Sequence, residues 1–172
     1  MQTYADAEAL IDDPRVLACR IADNGEPLVD VRTVQSVACD MTRTDVQELS
    51  DNPFQLRASA LDRLVRAQGF LPGRYQLQVK EAWRPIWVQE RLWEASLGQL
   101  RDGRPDLTDQ PGAGSRTAHP VADDARRQRD ILAQAMDAAG FINYPQEWWH
   151  WSYGDRYWAF QASAEATLYG PR

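Results

Sequence analysis

The chain has 172 residues, 44% hydrophobic and 26% charged, enough to bury one core and too few for two comfortable domains, so residues 1–172 are expected to form one domain. A formal net charge of -6 with a pI near 4.9 supplies no broad basic field, which argues against nucleic acid as a partner. Met1 to Pro14 carries Asp6, Glu8, Asp12 and Asp13 and no apolar core segment, and no later apolar run is long enough to span a bilayer, so the expectation is a soluble, cytoplasmic protein with no signal peptide and no membrane partner. Cys19 and Cys39 are too few for a disulfide framework or a cysteine-rich zinc site and are expected to be reduced and partly buried.

In chain order, Val16 to Ile21 and Leu28 to Val31 are short apolar stretches separated by the turn signal Asp23-Asn24-Gly25, a pattern that predicts a pair of strands. Leu56, Ala60, Leu61, Leu64 and Val65 share one helical face, and Gly69 is placed to end that helix. After Pro72-Gly73, Tyr75, Leu77 and Val79 alternate with Gln76, Gln78 and Lys80, the period of a half-buried strand. That strand runs into Trp83-Arg84-Pro85. Proline biases Arg84 towards an extended backbone, so the strand should end there and a helix marked by Val88, Leu92 and Ala95 should follow.

Asp102 to Pro120 is rich in Gly, Pro, Asp and Ser without an apolar period and reads as a loop. A helix is then marked by Ile131, Leu132, Ala135, Met136 and Ala139, with Asp123 or Asp124 as its cap and Gly140 as its end. Phe141 to Tyr144 predicts a strand. Trp148 to Tyr153 and Arg156 to Phe160, on either side of Gly154-Asp155, predict a hairpin. The fold class expected from these elements is α+β, with helices packed on a small, antiparallel-leaning sheet.

His119 and His150 are the only histidines, so imidazole chemistry of any kind must use them. His150 follows Glu147 by three positions among Trp148, Trp149 and Trp151, rings that would exclude water and strengthen local electrostatics. Residues three apart on an uninterrupted strand face opposite sides, so the carboxylate and imidazole can meet only if the chain bends near Trp148, and Pro145 suits such a bend. The bland alternative is a tryptophan-rich core hairpin in which Glu147 and His150 satisfy each other. For Arg84 the alternatives are an anion-binding guanidinium and a surface ion pair. For His119 the favoured alternative is an exposed loop side chain.

Glu147-Trp148-Trp149-His150 followed by Ser152-Tyr153-Gly154-Asp155 and Tyr157-Trp158 resembles the C-terminal signature of the VanX-type D-alanyl-D-alanine dipeptidases. Asp30-Val31-Arg32, Glu81-Ala82-Trp83-Arg84-Pro85, Ala138-Ala139-Gly140-Phe141-Ile142-Asn143-Tyr144-Pro145 and Leu168-Tyr169-Gly170-Pro171-Arg172 resemble further pieces of that family in the same order. The resemblance implies a trimmed version of the dipeptidase fold. It also implies that His150 is a zinc ligand, Glu147 a general base and Arg84 a binder of the developing oxyanion or of a substrate carboxylate, with Trp83, Trp149 and Tyr153 as substrate-binding neighbours.

The family's other zinc ligands lie in a pattern S-x-H-x-x-G-x-A-x-D, which this chain lacks: between Leu100 and Asp123 it has a short loop where the family is longer. A catalytic zinc takes three protein ligands, and the motif-matched residues supply only His150. A rebuilt site would need His119 with Asp123, although Pro120 disfavours a helical turn joining them and the bland role of Asp123 is capping. The leading expectation is therefore an enzyme without a cofactor that works by general acid/base chemistry at Glu147, His150 and Arg84 on a small amino-acid-like or dipeptide-like molecule, in a biosynthetic setting. The alternatives are a zinc-dependent D-alanyl-D-alanine dipeptidase with a rebuilt site and a non-catalytic small-ligand binding protein. A trimmed fold should leave its pocket open or covered by a second copy, which makes a homodimer an expectation as well.

Overall fold

The computed structural model describes residues 4–42, 50, 52–103 and 123–171. Its first helix, α1 (Pro14–Leu17), replaces the first predicted strand. The reason is local: the Asp13 side chain accepts the Arg15 N–H and Pro14 sits where a missing N–H costs nothing, a start signal stronger than the apolar pattern that follows. Strand β1 (Leu28–Asp30) is present as expected, but its antiparallel partner is the distant β3 (Gln55–Arg57), with Leu28 opposite Arg57 and Asp30 opposite Gln55. A single 3-10 turn, Val31–Thr33, follows β1, held by the Asp30 carboxylate accepting the Arg32 N–H at 2.8 Å.

Helix α2 (Ala58–Phe70) buries Ala60, Leu61, Leu64 and Ala67, confirming the apolar face and running one residue past Gly69. Its first turn has no cap of its own. Glu26 supplies one from thirty-odd residues away, its carboxylate accepting the Ser59 N–H and hydroxyl at 2.9 and 2.8 Å. The Tyr75, Leu77 and Val79 alternation is correct in burial, with Gln76, Gln78 and Lys80 exposed, yet only β4 (Gln78–Val79) forms a ladder, parallel to β2 (Ala38–Cys39). Helix α3 (Ile86–Gly103) begins directly after Pro85 as predicted, with Val88 buried and Asp102 and Gly103 drawn into the helix from the expected loop. The side chain of Ala95 and residues 104–122, His119 among them, lie outside the described residues.

Helix α4 (Asp123–Ala138) carries Asp123 and Asp124 inside its first turn instead of at the cap, where their charge still suits the positive end of the helix dipole. Gly140 ends it at φ 88°, with the Gly140 N–H on the Asp137 carbonyl and the Phe141 N–H on the Met136 carbonyl, the paired bonds of a left-handed C-cap. Strand β5 (Ile142–Asn143) pairs antiparallel with β6 (Trp151–Ser152). The hairpin predicted across Gly154-Asp155 is not formed: Arg156–Gln161 is a helix, α5, because the Asp155 carboxylate accepts the Trp158 N–H at 2.8 Å and caps it.

The architecture is mixed helix and strand, in keeping with an α+β class, but in place of the expected single small sheet the described residues form three separate two-stranded ladders, one of them parallel. The larger core joins Val31, Val37 and Phe54 to Leu61, Leu64 and Ala67 of α2, to Leu77, and to Met136, Ala139 and Phe141 at the end of α4. A second cluster gathers Ala9, Val16, Ile142 and Tyr157, packing α1 against α5. Phe54, Ile142 and Val16 are among the most deeply enclosed side chains, each of the kind that contributes about 1.5–3 kcal/mol on burial. Cys19 and Cys39 are unpaired and half-buried, as expected, and burial pushes the Cys39 thiol up. Among the described residues no helix is long and apolar enough to cross a membrane.

Candidate functional site

Between β5 and β6 the chain makes the bend that the sequence required. The Tyr144 N–H donates to the His150 carbonyl, the Glu147 N–H to the Tyr144 carbonyl and the His150 N–H to the Glu147 carbonyl, at 3.0, 2.9 and 2.9 Å. The Asn143 side-chain amide spans the inside of the bend, 2.9 Å from the His150 carbonyl, 3.3 Å from that of Glu147 and 3.4 Å from that of Trp148. As a result His150 Nδ1 lies 3.3 Å from Glu147 Oε2, and Tyr144 stands edge-on to the imidazole. The contact turns Nε2, on the opposite edge of the ring, away from the carboxylate.

The expected water-excluding tryptophan shell is absent. Trp148 and Trp149 are 42% and 58% exposed and meet each other edge to face, with the Arg129 guanidinium over Trp148, so Glu147 and His150 stay half-exposed. The bend itself pushes these rings outward, because tight backbone bonding across residues 144–150 leaves them no core to enter.

Two clefts adjoin beside this bend. The first, with a volume of about 300 Å³, contains Trp83, Arg84 and Tyr153 together with Phe141, Trp151 and Asp155. The second, about 460 Å³, contains His150, Ser152 and Asp155. Asp155, Tyr169, Gly170 and Pro171 line both and form the wall between them. Of the residues singled out in the sequence, Trp83, Arg84 and Tyr153 thus share one cleft and His150 lines its neighbour, while Glu147 reaches the site through its contact with His150. Trp149 lines neither cleft. Asp123 lies exposed at the start of α4.

Arg84 is fixed in place. Its Nε donates to Glu81 Oε1 at 2.7 Å, its Nη2 to Glu81 Oε2 and its Nη1 to Gln89 Oε1 at 2.6 Å. The segment bearing it is tied to the core by the Ala82 and Trp83 N–H groups, which both donate to the Pro53 carbonyl. The guanidinium is therefore in an ion pair and at a cleft wall at once, which merges the two alternatives raised by the sequence. Tyr153 is held by edge contacts with Phe141, Trp158 and Tyr169 and by the Arg63 guanidinium 4.1 Å over its ring.

Three residues that the sequence reading assigned no role shape the site. Asn143 clasps the bend, Asp155 stands where the clefts meet, and Tyr169 brings the C-terminal segment across them. For Asp155 a signal existed, since an acidic residue just before Arg156 to Gln161 is a helix start. For Tyr169 none did, because its partner Ser59 lies far off in the chain; the partners of Asn143 are only four to seven residues on, but it takes the bend to turn their carbonyls towards it.

The fit to zinc is incomplete. Among the described residues no three His, Cys, Asp or Glu side chains come together in a metal-binding group. His150 has a carboxylate on Nδ1, the backing that metal-bound imidazoles commonly have, but the described residues supply no second and third ligand beside it.

Comparison with known proteins places the chain in the neighbourhood of a class of peptidases. Residues 111–166 match the family model described as D-ala-D-ala dipeptidase, a stretch that contains the Glu147 and His150 bend and Asp155. Among curated proteins, a D-alanyl-D-alanine dipeptidase of Synechocystis sp. (strain ATCC 27184 / PCC 6803 / Kazusa) is 50% identical over 36 residues, which covers 21% of this chain and 15% of that protein. No solved structure matches. The likeness to D-alanyl-D-alanine dipeptidases found by comparison thus lies in the C-terminal third of the chain, and Asp30–Arg32 and Glu81–Pro85 lie outside the residues the family model matches.

Proposed function

We propose that this dipeptidase-like scaffold is an enzyme that moves protons on a small amino-acid-like or dipeptide-like molecule, with Glu147 as base, His150 as acid and Arg84 as the group that balances negative charge. The observation that carries the reading is the Glu147 Oε2 to His150 Nδ1 contact of 3.3 Å, with His150 lining one cleft and Arg84 the cleft that adjoins it. Glu147 takes a proton from a carbon next to a carbonyl. The negative charge left on the carbonyl oxygen is stabilised by the guanidinium, and His150 returns a proton. The proton left on Glu147 and the one given up by His150 are then exchanged with solvent, which reaches both half-exposed side chains and closes the cycle. D-Alanine and D-alanyl-D-alanine in deuterium oxide are the first probes, followed by the loss of the Cα–H signal in proton NMR. Wild-type protein should exchange that hydrogen, and Glu147→Gln should slow exchange by about 100-fold or more. Absence of exchange, or exchange that survives Glu147→Gln, overturns the reading.

A second reading, zinc-dependent cleavage of D-alanyl-D-alanine, is favoured by the family match running through residues 111–122, where His119 lies. The same sample decides it. D-Alanine released only after zinc addition, blocked by a chelator and absent in His150→Asn, would replace proton exchange with hydrolysis.

A further inference from the structure

The second cleft has two unlike walls. On one, Ile11, Leu17 and Ile21 are 37%, 49% and 40% exposed beside the buried Val16, aliphatic surface turned to the cleft and not to a core. The other wall is polar and holds His150, Ser152, Asp155 and Arg156.

Arg156 is the group in that wall that the fold leaves unsatisfied. Its Nε is closed off from solvent and donates to nothing, and among the described residues no carboxylate pairs with its guanidinium. Asp155, next to it in the chain, is committed elsewhere: its carboxylate accepts the Trp158 N–H at 2.8 Å as the cap of α5. The Tyr157 and Tyr169 hydroxyls are engaged with Gln161 and Ser59. The Ser152 hydroxyl, in a residue 2% exposed, stands beside Asp155 without a well-formed hydrogen bond to it or to any other described group. His150 adds an imidazole whose Nε2 is turned away from Glu147.

These groups favour an anion. An arginine keeps its charge throughout the working pH range, and an enclosed donor without an acceptor is costly, the more so in a charged group. A ligand that brings the acceptor removes that cost on binding, and a carboxylate matches the planar fork of a guanidinium. The aliphatic wall suits an uncharged carbon body behind it.

We infer that the second cleft binds a small aliphatic carboxylate, with Arg156 holding the carboxylate and Ile11, Leu17 and Ile21 holding the chain. The inference goes beyond the proton-transfer reading, in which Arg84 acts from the first cleft, and it stands if that reading fails.

Butyrate, butyramide and acetate make the test in the full chain: butyramide keeps the carbon body without the charge, and acetate keeps the charge with less body. The imidazole Cε1–H resonances of the two histidines are the readout, with His119→Gln identifying the one that belongs to His150. Butyrate should shift the His150 resonance saturably and bind about tenfold or more tightly than either relative. Arg156→Gln should abolish the advantage of butyrate over butyramide, and Arg84→Gln should leave it in place. The ranking of the three probes in the wild-type protein needs no variant at all. Equal binding of butyrate and butyramide, or a butyrate affinity unchanged in Arg156→Gln, overturns the inference. Loss of butyrate binding in Arg84→Gln alone overturns it too, by placing the carboxylate in the first cleft.

Discussion

The ring of Tyr169 lies directly over Gly154: a Cβ on that glycine would stand 2.4 Å from Tyr169 Cε2, and the glycine backbone has φ 74°. The Leu168 and Tyr169 N–H groups both donate to the Gly154 carbonyl, at 2.8 and 3.1 Å, and the Tyr169 hydroxyl lies 2.7 Å from Ser59 Oγ. This junction seats the C-terminal segment that walls both clefts. Gly154→Ala should therefore lose about 1–2 kcal/mol from backbone strain alone, with a further loss from the ring. Equilibrium denaturation of Gly154→Ala, Tyr169→Ala and the pair should show that removing the ring recovers the steric part and leaves the strain. A fully additive pair would mean that the ring and the glycine do not meet in solution.

Asn143 should matter to the bend more than its modest exposure suggests. Its amide faces the carbonyls of Glu147, Trp148 and His150 in the bend. Asn143→Ala is expected to cost about 1–3 kcal/mol, the range for polar groups left without partners. Asn143→Asp should cost more, since it sets a carboxylate against three carbonyl oxygens. Urea titrations rank the two, and a reversed order would remove the amide from the account of the bend.

Arg57 ties the ends of the chain together from a nearly closed site, 6% exposed. Its Nη1 donates to the Glu26 carbonyl and its Nη2 to the Gly170 carbonyl at 3.0 Å, while the guanidinium lies 5.3 Å over the Tyr169 ring and is paired with Asp23. Arg57→Met keeps much of the stem volume but removes the guanidinium that serves two carbonyls and pairs with Asp23, and about 2–4 kcal/mol should be lost. Limited proteolysis should cut first in the released segment after Thr167. Unchanged protection there would mean that other contacts seat it.

Asp155 sets a pH dependence of definite sign. Its carboxyl is raised in the folded chain, chiefly because protein packed around the carboxylate desolvates it although the residue as a whole is exposed, so the native state holds that proton more tightly than the unfolded state does. Stability from this group is then fully present below the ordinary carboxylate range and is lost as pH rises through the folded value. Asp155→Asn removes the titration and keeps the cap. The stability of wild type minus that of the variant should fall as pH rises from about 4. A difference that is flat or rises with pH would contradict the raised carboxyl.

Much of this molecule follows from local chemistry. Helices α2 and α4 are visible in their apolar faces, the start of α3 in Pro85, the end of α4 in Gly140, and the alternation of Tyr75, Leu77 and Val79 in their burial, because each depends on neighbours within one or two turns of chain. The need for a bend between Glu147 and His150 could likewise be deduced from strand geometry. The misreadings fell where a cap outweighed an apolar pattern: Asp13 made a helix of Val16's surroundings, and Asp155 made one of Arg156–Gln161.

Tertiary structure decided the pairings and the site. No local pattern sends β1 to β3, lends Glu26 to the start of α2, or lays Tyr169 on Gly154, since each contact joins segments far apart in sequence. The exposure of Trp148 and Trp149 is of the same kind: an apolar side chain is buried only if the bend that carries it faces a core, and this bend faces away. The sequence by itself determined which residues could do chemistry and that two of them had to meet. The fold decided that Arg84 and His150 stand in neighbouring clefts, and that Asp155 is the carboxylate between them, because only the packing of the C-terminal segment against both builds the wall they share.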